Sequence, residues 1–334
     1  MKSAELVDAV VAGRDRPGLK IFAPLGPGDR TERPITVDQT NHSVVVGERV
    51  VVKWMRTPGA DRSPRLLAHL AAAGFTRMPT PYAALFDGPG LVALVTRFLP
   101  EALDGYDWGT DALLAWLAGG PPADFGRALG ELTAELHTAL ATPTEVIGSP
   151  VAVRPPADDW KTAVDEAVDA AGDDPDGRWV RSIAPRLAAD LATPARQRPG
   201  PALLLHGDLH VGQVLKWRDG YAVTDFDGHP TAADRPEPVV RDVAQLRMSV
   251  LHVAEIANRR TAGRHLARLR QWGRDTNAEL LAAYRAGDRR GLLDLDLLRS
   301  YEVEQECREL VYAARFLPRW RYASLGVLRS WYQS

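Results

Sequence analysis

The sequence predicts an α+β fold with a small β-rich N-terminal lobe and a large, mainly helical C-terminal lobe. The chain has 334 residues, and two lobes fit that length because a domain commonly holds about 100–200 residues. Valine-rich runs separated by glycine turns dominate residues 1–99, as is typical of strands. From residue 100 onward, apolar side chains recur near the helical spacing of 3.6. We therefore expect domains over 1–99 and 100–334.

The N-terminal lobe is expected to begin with a helix and to continue with four strands. MKSAELVDAVVAGRDR alternates charged and apolar residues, as an amphipathic helix does and a signal peptide does not. SVVVGERVVVKWMR predicts a hairpin because two β-branched runs flank a glycine. RSPRLLAHLAAAGF predicts a helix, and PTPYAALFDGPGLVALVTRFLP predicts two strands around a DGPG turn.

The C-terminal lobe is expected to be helical with one sheet-like interruption. Helical spacing is found in WGTDALLAWLAG, FGRALGELTAELHTALA, DDWKTAVDEAVDAAG and GRWVRSIAPRLAADLAT. PALLLHGDLHVGQVLKWRDGYAVTDFDG interrupts this pattern with short apolar runs, after which helices resume as far as Tyr332. Two such lobes are expected to leave a cleft, which is a common place for a small-molecule site.

Composition excludes several classes of protein. The 41 basic and 43 acidic residues give a net charge of −2, so we expect no nucleic-acid partner. No apolar stretch approaches the roughly 18 residues that span a bilayer, and we expect a cytoplasmic protein without a membrane partner. Cys307 is the only cysteine, which excludes an intrachain disulfide and favours a buried, inert thiol over a reactive one. The oligomeric state stays open.

Chemistry is concentrated between His206 and Asp227. Asp208, Gln213 and Asp225 flank a predicted hairpin, which can bring them together. A carboxylate and an amide oxygen suit Mg²⁺, which prefers oxygen ligands and keeps several waters. The other carboxylate is then free to accept a proton from a hydroxyl group. Kinases divide the work in this way between a catalytic-loop Asp, an amide residue five positions later and an Asp that precedes Phe.

HGDLHVGQVL followed by DFDG resembles the aminoglycoside-phosphotransferase-like kinase superfamily, and the resemblance covers most of residues 40–250. Gln213 in place of the usual Asn, together with His210 and Gly212, resembles the actinobacterial maltokinases. FLPEALDGYDW and LGELTAELH also resemble maltokinase segments. The resemblance implies a bilobal protein-kinase-like fold. It also implies transfer of the γ-phosphoryl group of ATP to a hydroxyl group with Mg²⁺ as cofactor.

By this resemblance Asp208 is the catalytic base, and Gln213 and Asp225 are magnesium ligands. Asp227 is expected either to bind a second metal ion or to cap a turn. Asp242 corresponds to the helix aspartate that braces the catalytic loop, which is a structural role.

Lys53 occupies the place of the phosphate-contacting strand lysine of the family. The chain has only five lysines, so a lysine at this position is notable. An exposed lysine at a strand edge is the alternative. In the family a glutamate of the next helix pairs with this lysine, but RSPRLLAHL contains none. Either Asp61 takes its place or the ion pair is absent.

The remaining nucleotide contacts are also implied by the resemblance. Segment 95–99, which includes Arg97 and Leu99, corresponds to the hinge that binds adenine through its backbone. The chain lacks the glycine-rich loop of kinases, and residues 38–43 stand in its place. The hydroxyl and amide groups of this loop, including Ser43, are expected to meet phosphate.

The C-terminal region carries the information about the acceptor. Glu302, Glu306 and Glu309 share one face of an expected helix, which is either a solvated acidic face or a surface that binds an acceptor. The QECRE and LPRW segments and the short N-terminal region resemble a small actinobacterial group, related to the maltokinases, that phosphorylates D-glucosamine at its 6-hydroxyl. An amino sugar needs a carboxylate near its amine, and Glu306 is the candidate. The expected acceptor-site residues are Asp208, His206, Glu306, Arg308 and Trp320.

Three alternatives remain beside a glucosamine kinase. They are a maltokinase that forms maltose 1-phosphate, an aminoglycoside phosphotransferase and a non-catalytic nucleotide-binding regulator. The missing glutamate after Lys53 favours the regulator, whereas the intact set of Asp208, Gln213 and Asp225 favours an enzyme.

Overall fold

The computed structural model describes residues 2–14, 16–35, 41–156, 160–218, 220–229 and 235–333. Its backbone forms two units that are both discontinuous in sequence. Unit 1 comprises Met1–Leu103, Thr142–Pro150 and Val214–Asp234. Unit 2 comprises Asp104–Ala141, Val151–Gln213 and Arg235–Ser334. The β-rich character of the first unit and the helical character of the second confirm the predicted α+β fold class.

Unit 1 is built on a six-stranded antiparallel sheet with the strand order β1-β5-β6-β4-β3-β2. Its strands are β1 (Leu19–Ile21), β2 (Glu32–Pro34), β3 (His42–Val46), β4 (Val50–Gly59), β5 (Pro81–Asp87) and β6 (Gly90–Arg97). Helix α1 (Ser3–Val11) precedes the sheet, and α2 (Arg62–Ala72) lies between β4 and β5 in the chain. The predicted strands β3, β4, β5 and β6 and the predicted helix α2 occur in the predicted order, and β1 and β2 are two further strands that were not predicted.

The valine runs explain why the central strands pair. Alternate residues of a strand point to one face, so Val44, Val46, Val50 and Val52 are buried in one apolar core. The apolar face of α1 packs on this core through leucine and valine side chains. Gly47 adopts a φ of +58° in the turn between β3 and β4, a left-handed conformation that glycine reaches without strain.

Unit 2 is mainly helical. Its helices are α3 (Gly105–Leu117), α4 (Gly126–Leu140), α5 (Lys161–Ala171), α6 (Pro175–Leu191), α7 (Val240–Arg260), α8 (Leu266–Gly287), α9 (Leu298–Arg315) and α10 (Arg321–Tyr332). A short sheet pairs β7 (Ala152–Arg154) with β8 (Gly200–Ala202). In the described parts of the chain, no helix has both the length and the apolar character needed to cross a membrane.

A two-stranded sheet that follows the HGD segment in sequence returns the chain to unit 1. It consists of β9 (Val214–Trp217) and β10 (Gly220–Val223), which pair antiparallel and confirm the predicted hairpin. The backbone N–H of Val223 donates to the carbonyl of Arg77 over 2.9 Å. This bond fixes the end of β10, and residues 224–228 continue from there.

Helix α9 occupies the interior of unit 2 and is buried on more than one side. Val303, Cys307 and Leu310 join an apolar cluster with α5, α6 and α10. Burial raises the pKa of the Cys307 thiol to about 12, so this thiol is protonated and inert at neutral pH, as the sequence predicts. Glu302, Glu304 and Glu306 of the same helix are also buried, so these carboxylates must find partners within unit 2.

Candidate active site

Lys53 is the centre of a charged cluster in unit 1. Its ammonium lies 2.7 Å from Oδ1 of Asp225 and 2.5 Å from Oδ2 of Asp227. Burial opposes the charge of Lys53, but the two carboxylates outweigh that effect and raise its pKa above the ordinary value. Lys53 lies on β4, between two neighbouring strands, so it is not an exposed lysine at a sheet edge.

The turn after β10 directs both carboxylates toward β4. Asp225 has a φ of +61°, a left-handed conformation that Asp tolerates better than most residues. Gly228 has a φ of +79°, and a Cβ atom there would lie 2.7 Å from the guanidinium of Arg62. The partners of Lys53 thus come from this turn, and Asp61 at the start of α2 does not replace the missing glutamate.

The carboxylates around Lys53 fit a magnesium ion. Two carboxylates that converge on one ammonium create a site for positive charge, and their hard oxygen atoms are the ligands that Mg²⁺ prefers. Among the residues that the structure describes, no group of three or more His, Cys, Asp or Glu side chains is arranged to hold a metal ion. The amide candidate Gln213 ends a short 3-10 turn over Val211–Gln213 and belongs to unit 2.

The other predicted nucleotide contacts lie in or beside the six-stranded sheet. Ser43 is the cross-strand partner of Lys53, so both side chains project from the same face. The guanidinium of Arg97 stacks on Trp217 at 5.0 Å, and the backbone N–H of Arg97 donates to the carbonyl of Thr80. Leu99 is buried. Positions 38–40 of the expected phosphate loop lie outside the described residues.

The HGD segment of unit 2 is held by Asp242 of helix α7. The backbone N–H groups of His206 and Gly207 donate to the two oxygens of Asp242 over 3.0 and 2.9 Å. Asp242 also contacts Nε2 of His137, whose Nδ1 lies 2.8 Å from the hydroxyl of Tyr284. Burial opposes ionisation of Asp242, but these partners outweigh it and lower its pKa. Asp242 therefore braces the loop, which is the role that the sequence predicts for it.

Asp208 is presented at the surface of this loop. Its side chain is 20% exposed, and Nε2 of His210 lies 4.0 Å from Oδ2. Nε2 of Gln245 donates to Oδ1 over 2.6 Å. The backbone N–H of Asp208 donates to Nδ1 of His206 over 3.3 Å. Because His206 is fully buried, its ring supports the loop from behind.

Tyr106 lies beside the HGD segment and was not singled out from the sequence. Its ring stacks on His210 at 5.6 Å and lies 5.4 Å from Trp320. The lack of a side chain at Gly105 lets the start of α3 pack closely on the backbone of Val211, because a Cβ atom there would lie 1.9 Å from the carbonyl oxygen of Val211. The DGY triplet within FLPEALDGYDW is the sequence signal that could have identified it.

Four acidic groups act on the hydroxyl of Tyr106. Burial raises the pKa of Tyr106 well above its ordinary value, and the carboxylates of Glu309, Asp208, Glu306 and Asp104 raise it further. Burial also raises the pKa of Tyr312 on α9, and Asp208 and Glu309 add to that effect. Asp208 and Glu309 therefore act on the same two phenols, which places the acidic face of α9 near the HGD segment.

The acidic residues of α9 are not a solvated face. Glu302 and Glu306 are both buried. Glu306 pairs with Nε2 of His252 at 3.0 Å, and Glu304 pairs with three arginines. These are Arg196 at 2.5 Å, Arg308 at 2.6 Å and Arg241 at 2.9 Å.

Burial shifts the pKa values of Glu306 and Arg308, the two predicted acceptor contacts on α9, in opposite directions. Burial raises the pKa of Glu306, although His252 acts against it, and burial lowers the pKa of Arg308. Glu309 is only half-buried and accepts a bond of 2.9 Å from Gln305. An acceptor can therefore reach Glu309 with less rearrangement than Glu306. The role of Glu306 stays a prediction.

Residues 31–228 match the phosphotransferase enzyme family, which is more than half of the chain. The chain belongs to this family. Two curated glucosamine kinases are similar in sequence to this phosphotransferase over most of its length. The one from Streptacidiphilus jiangxiensis is 38% identical over 312 residues, covering 87% of this chain and 71% of the relative. The one from Mycolicibacterium smegmatis is 38% identical over 319 residues, covering 88% of this chain and 77% of the relative.

A solved structure agrees with these relatives. A glucosamine kinase in complex with glucosamine, ADP and inorganic phosphate matches this phosphotransferase with a TM-score of 0.84 and 33% identity. The match covers 98% of this chain and 82% of that chain. The superfamily resemblance inferred from HGDLHVGQVL and DFDG is confirmed, and this chain is a phosphotransferase that acts on a hydroxyl group.

Proposed function

We propose that this phosphotransferase is a glucosamine kinase, which transfers the γ-phosphoryl group of ATP to the 6-hydroxyl of D-glucosamine. The observation that carries the proposal is the match, over 98% of the chain, to a glucosamine kinase that holds glucosamine and ADP. Unit 2 supports the proposal, since the partly exposed carboxylate of Asp208 lies near aromatic rings and near the carboxylates of α9.

Asp208 is the catalytic base of the proposed reaction. Its carboxylate accepts the proton of the sugar hydroxyl while the sugar oxygen forms a bond to the γ-phosphorus. The bond from this phosphorus to the bridging oxygen breaks, and ADP leaves with the electron pair. His206 supports Asp208 from the buried side of the loop.

The residues of unit 1 bind the nucleotide. Asp225 and Asp227 would hold magnesium, and Gln213 stays the proposed amide ligand. When bound, magnesium neutralises charge on the transferred phosphates. Lys53, which pairs with these carboxylates in this structure, would contact a phosphate. Ser43 is the hydroxyl next to Lys53 on the same sheet face.

The adenine contact is proposed at the end of β6. Segment 95–99, which includes Arg97 and Leu99, would meet the ring through its backbone groups. Arg97 is held in place by its stack on Trp217, which orients this part of the chain. A kinase that consumes ATP needs the compartment that supplies it, and we propose a cytoplasmic location on that ground.

The acceptor contacts lie on α3, α9 and the turn before α10. Aromatic rings pack on the apolar faces of sugars, and Trp320 and Tyr106 provide such rings. Glu309 is the carboxylate that meets the amine, with Glu306 behind it. Arg308 is held by Glu304 and contributes by fixing the position of α9 residues around the acceptor.

A comparison of acceptors tests the proposal. The kcat/KM for ATP-dependent phosphorylation is measured with glucosamine, glucose, N-acetylglucosamine, maltose and kanamycin. We expect glucosamine to exceed glucose and N-acetylglucosamine by at least about 100-fold, because a partly buried carboxylate rejects an acceptor that lacks the charged amine. Higher kcat/KM with maltose or kanamycin would contradict it. Tight ATP binding without turnover of any acceptor would indicate a regulator.

A further inference from the structure

One face of helix α7 contacts the catalytic loop at three successive points. Asp242, Gln245 and Ser249 are spaced three and four residues apart, so they lie on the same side of the helix. Asp242 accepts from the backbone of His206 and Gly207, and Ser249 accepts from the N–H of Val211 over 2.9 Å. Both therefore hold the loop through its backbone.

Gln245 contacts the loop differently, since its amide reaches a side chain. Nε2 of Gln245 donates to Oδ1 of Asp208 over 2.6 Å, and Gln245 is only 3% exposed. An ionised carboxylate only accepts hydrogen bonds, so the amide must present its NH₂ group to Asp208. A buried donor of fixed orientation thus occupies one oxygen of the carboxylate.

We infer that Gln245 is a positioning residue for the catalytic base. The inference rests on the proposed function. By binding Oδ1, Gln245 fixes the rotation of the carboxylate and leaves Oδ2 as the oxygen that accepts the proton of the sugar hydroxyl. Without this bond, the carboxylate can rotate toward His210, whose Nε2 lies 4.0 Å from Oδ2. A displacement of about 1 Å at a reacting group can lower the rate by about 100-fold.

If Gln245 positions Asp208, its loss should lower kcat and leave substrate binding nearly unchanged. Gln245→Met keeps a similar side-chain volume and removes the donor. We expect kcat to fall about 10- to 100-fold, while KM for ATP and for glucosamine changes less than about threefold. Thr261→Val is the matched control, because it removes buried hydroxyl bonds at the far end of the same helix. It should lower thermal stability without changing kcat.

Gln245→Glu supplies a second readout that a purely structural role would not change. At neutral pH the introduced carboxylate repels Asp208, and we expect a larger loss of kcat than in Gln245→Met. As pH falls, the introduced carboxyl becomes protonated and can donate to Asp208. The ratio of variant to wild-type kcat should therefore rise by at least about fivefold between pH 8 and pH 6.

The two variants are measured by coupled assay, with thermal unfolding as a check that they are folded. Wild-type kcat in Gln245→Met, or a pH-independent ratio in Gln245→Glu, would overturn the positioning role and leave the proposed function intact. Absence of sugar phosphorylation by the wild-type enzyme would overturn both.

Discussion

The ammonium of Lys53 lies 2.7 Å from Oδ1 of Asp225 and also contacts Asp227, which joins β4 to the turn that follows β10. Opposite charges at this distance stabilise each other strongly when they are partly buried. The cluster explains how Lys53 is held without a glutamate from α2. Under the proposed function, the lysine and a magnesium ion compete for the same carboxylates.

Lys53→Met should make unit 1 more dependent on magnesium. The variant removes the ammonium that lies between Asp225 and Asp227, so we expect a lower Tm than wild type in EDTA. Magnesium should raise the Tm of the variant more than that of the wild type. KM for ATP should rise about 10-fold or more. Differential scanning fluorimetry with and without magnesium measures the first effect.

Lys216→Met is the control for this experiment, because Lys216 is an exposed lysine of β9. It should behave as wild type in both measurements. An equal magnesium response of Lys53→Met and wild type would show that the carboxylates do not bind the ion.

Asp208→Asn removes the proposed base and keeps the shape of the side chain. We expect kcat to fall by about 10²- to 10⁴-fold, since this is the usual contribution of a general base. The affinity for ADP should be unchanged, because the variant does not alter unit 1. Steady-state kinetics and isothermal titration with ADP measure the two quantities. Asp165→Asn, at an exposed carboxylate of α5, should keep full activity. Normal turnover of Asp208→Asn would refute the assignment.

Substitutions of Glu309 and Glu306 on α9 should differ in their effects, one on substrate recognition and the other on stability. Glu309→Gln is expected to raise KM for glucosamine about 10-fold or more, because it removes the negative charge nearest to the amine. It should leave the weak activity with glucose unchanged. Glu306→Gln should mainly lower the unfolding free energy, because it disturbs the buried pair with His252. The reverse pattern would show that Glu306 is the amine contact, as the sequence predicts.

The buried pair of His252 and Glu306 predicts a pH dependence of stability. Burial lowers the proton affinity of His252, but Glu306 outweighs it and raises the pKa of His252 to about 9. The pKa of Glu306 is also raised. Both shifts mean that the folded protein holds protons more tightly than the unfolded chain. The contribution of His252 is therefore complete below about pH 6.5 and is lost as the pH rises through 9.

We expect the unfolding free energy to be lower at pH 9 than at pH 6.5 by about 3 kcal/mol. Urea denaturation at the two pH values measures this difference. The double variant His252→Gln and Glu306→Gln lacks both titrating groups and should show a much smaller difference. An equal pH dependence in the double variant would assign the effect to other groups.

The sequence predicted the elements whose patterns are local. The β-branched runs around Gly47 predicted the hairpin that carries Lys53, and helical spacing predicted α1 to α6 and α9. Short strands such as β1, β2 and β7 were missed, because three residues in a strand carry no periodic signal and depend on a partner that is distant in sequence.

The candidate site residues that belong to a motif could be named from the sequence, and their roles stay predictions. Asp208 and Asp225 stand in recognisable segments, and Asp242 was identified as a brace. The pairing of Lys53 with Asp225 spans 172 positions, and that of Gln245 with Asp208 spans 37. Neither pairing follows from spacing along the chain. The burial of Glu306 was missed because an acidic helix face looks the same in sequence whether solvent or another helix covers it.

Identification of the product tests the central claim most directly. The enzyme is incubated with ATP, magnesium and glucosamine, and the products are analysed by ³¹P NMR and mass spectrometry. We predict ADP and glucosamine 6-phosphate in equal amounts, with no detectable product in the same time when Asp208→Asn replaces the wild type. ADP and inorganic phosphate with unmodified glucosamine would contradict the claim.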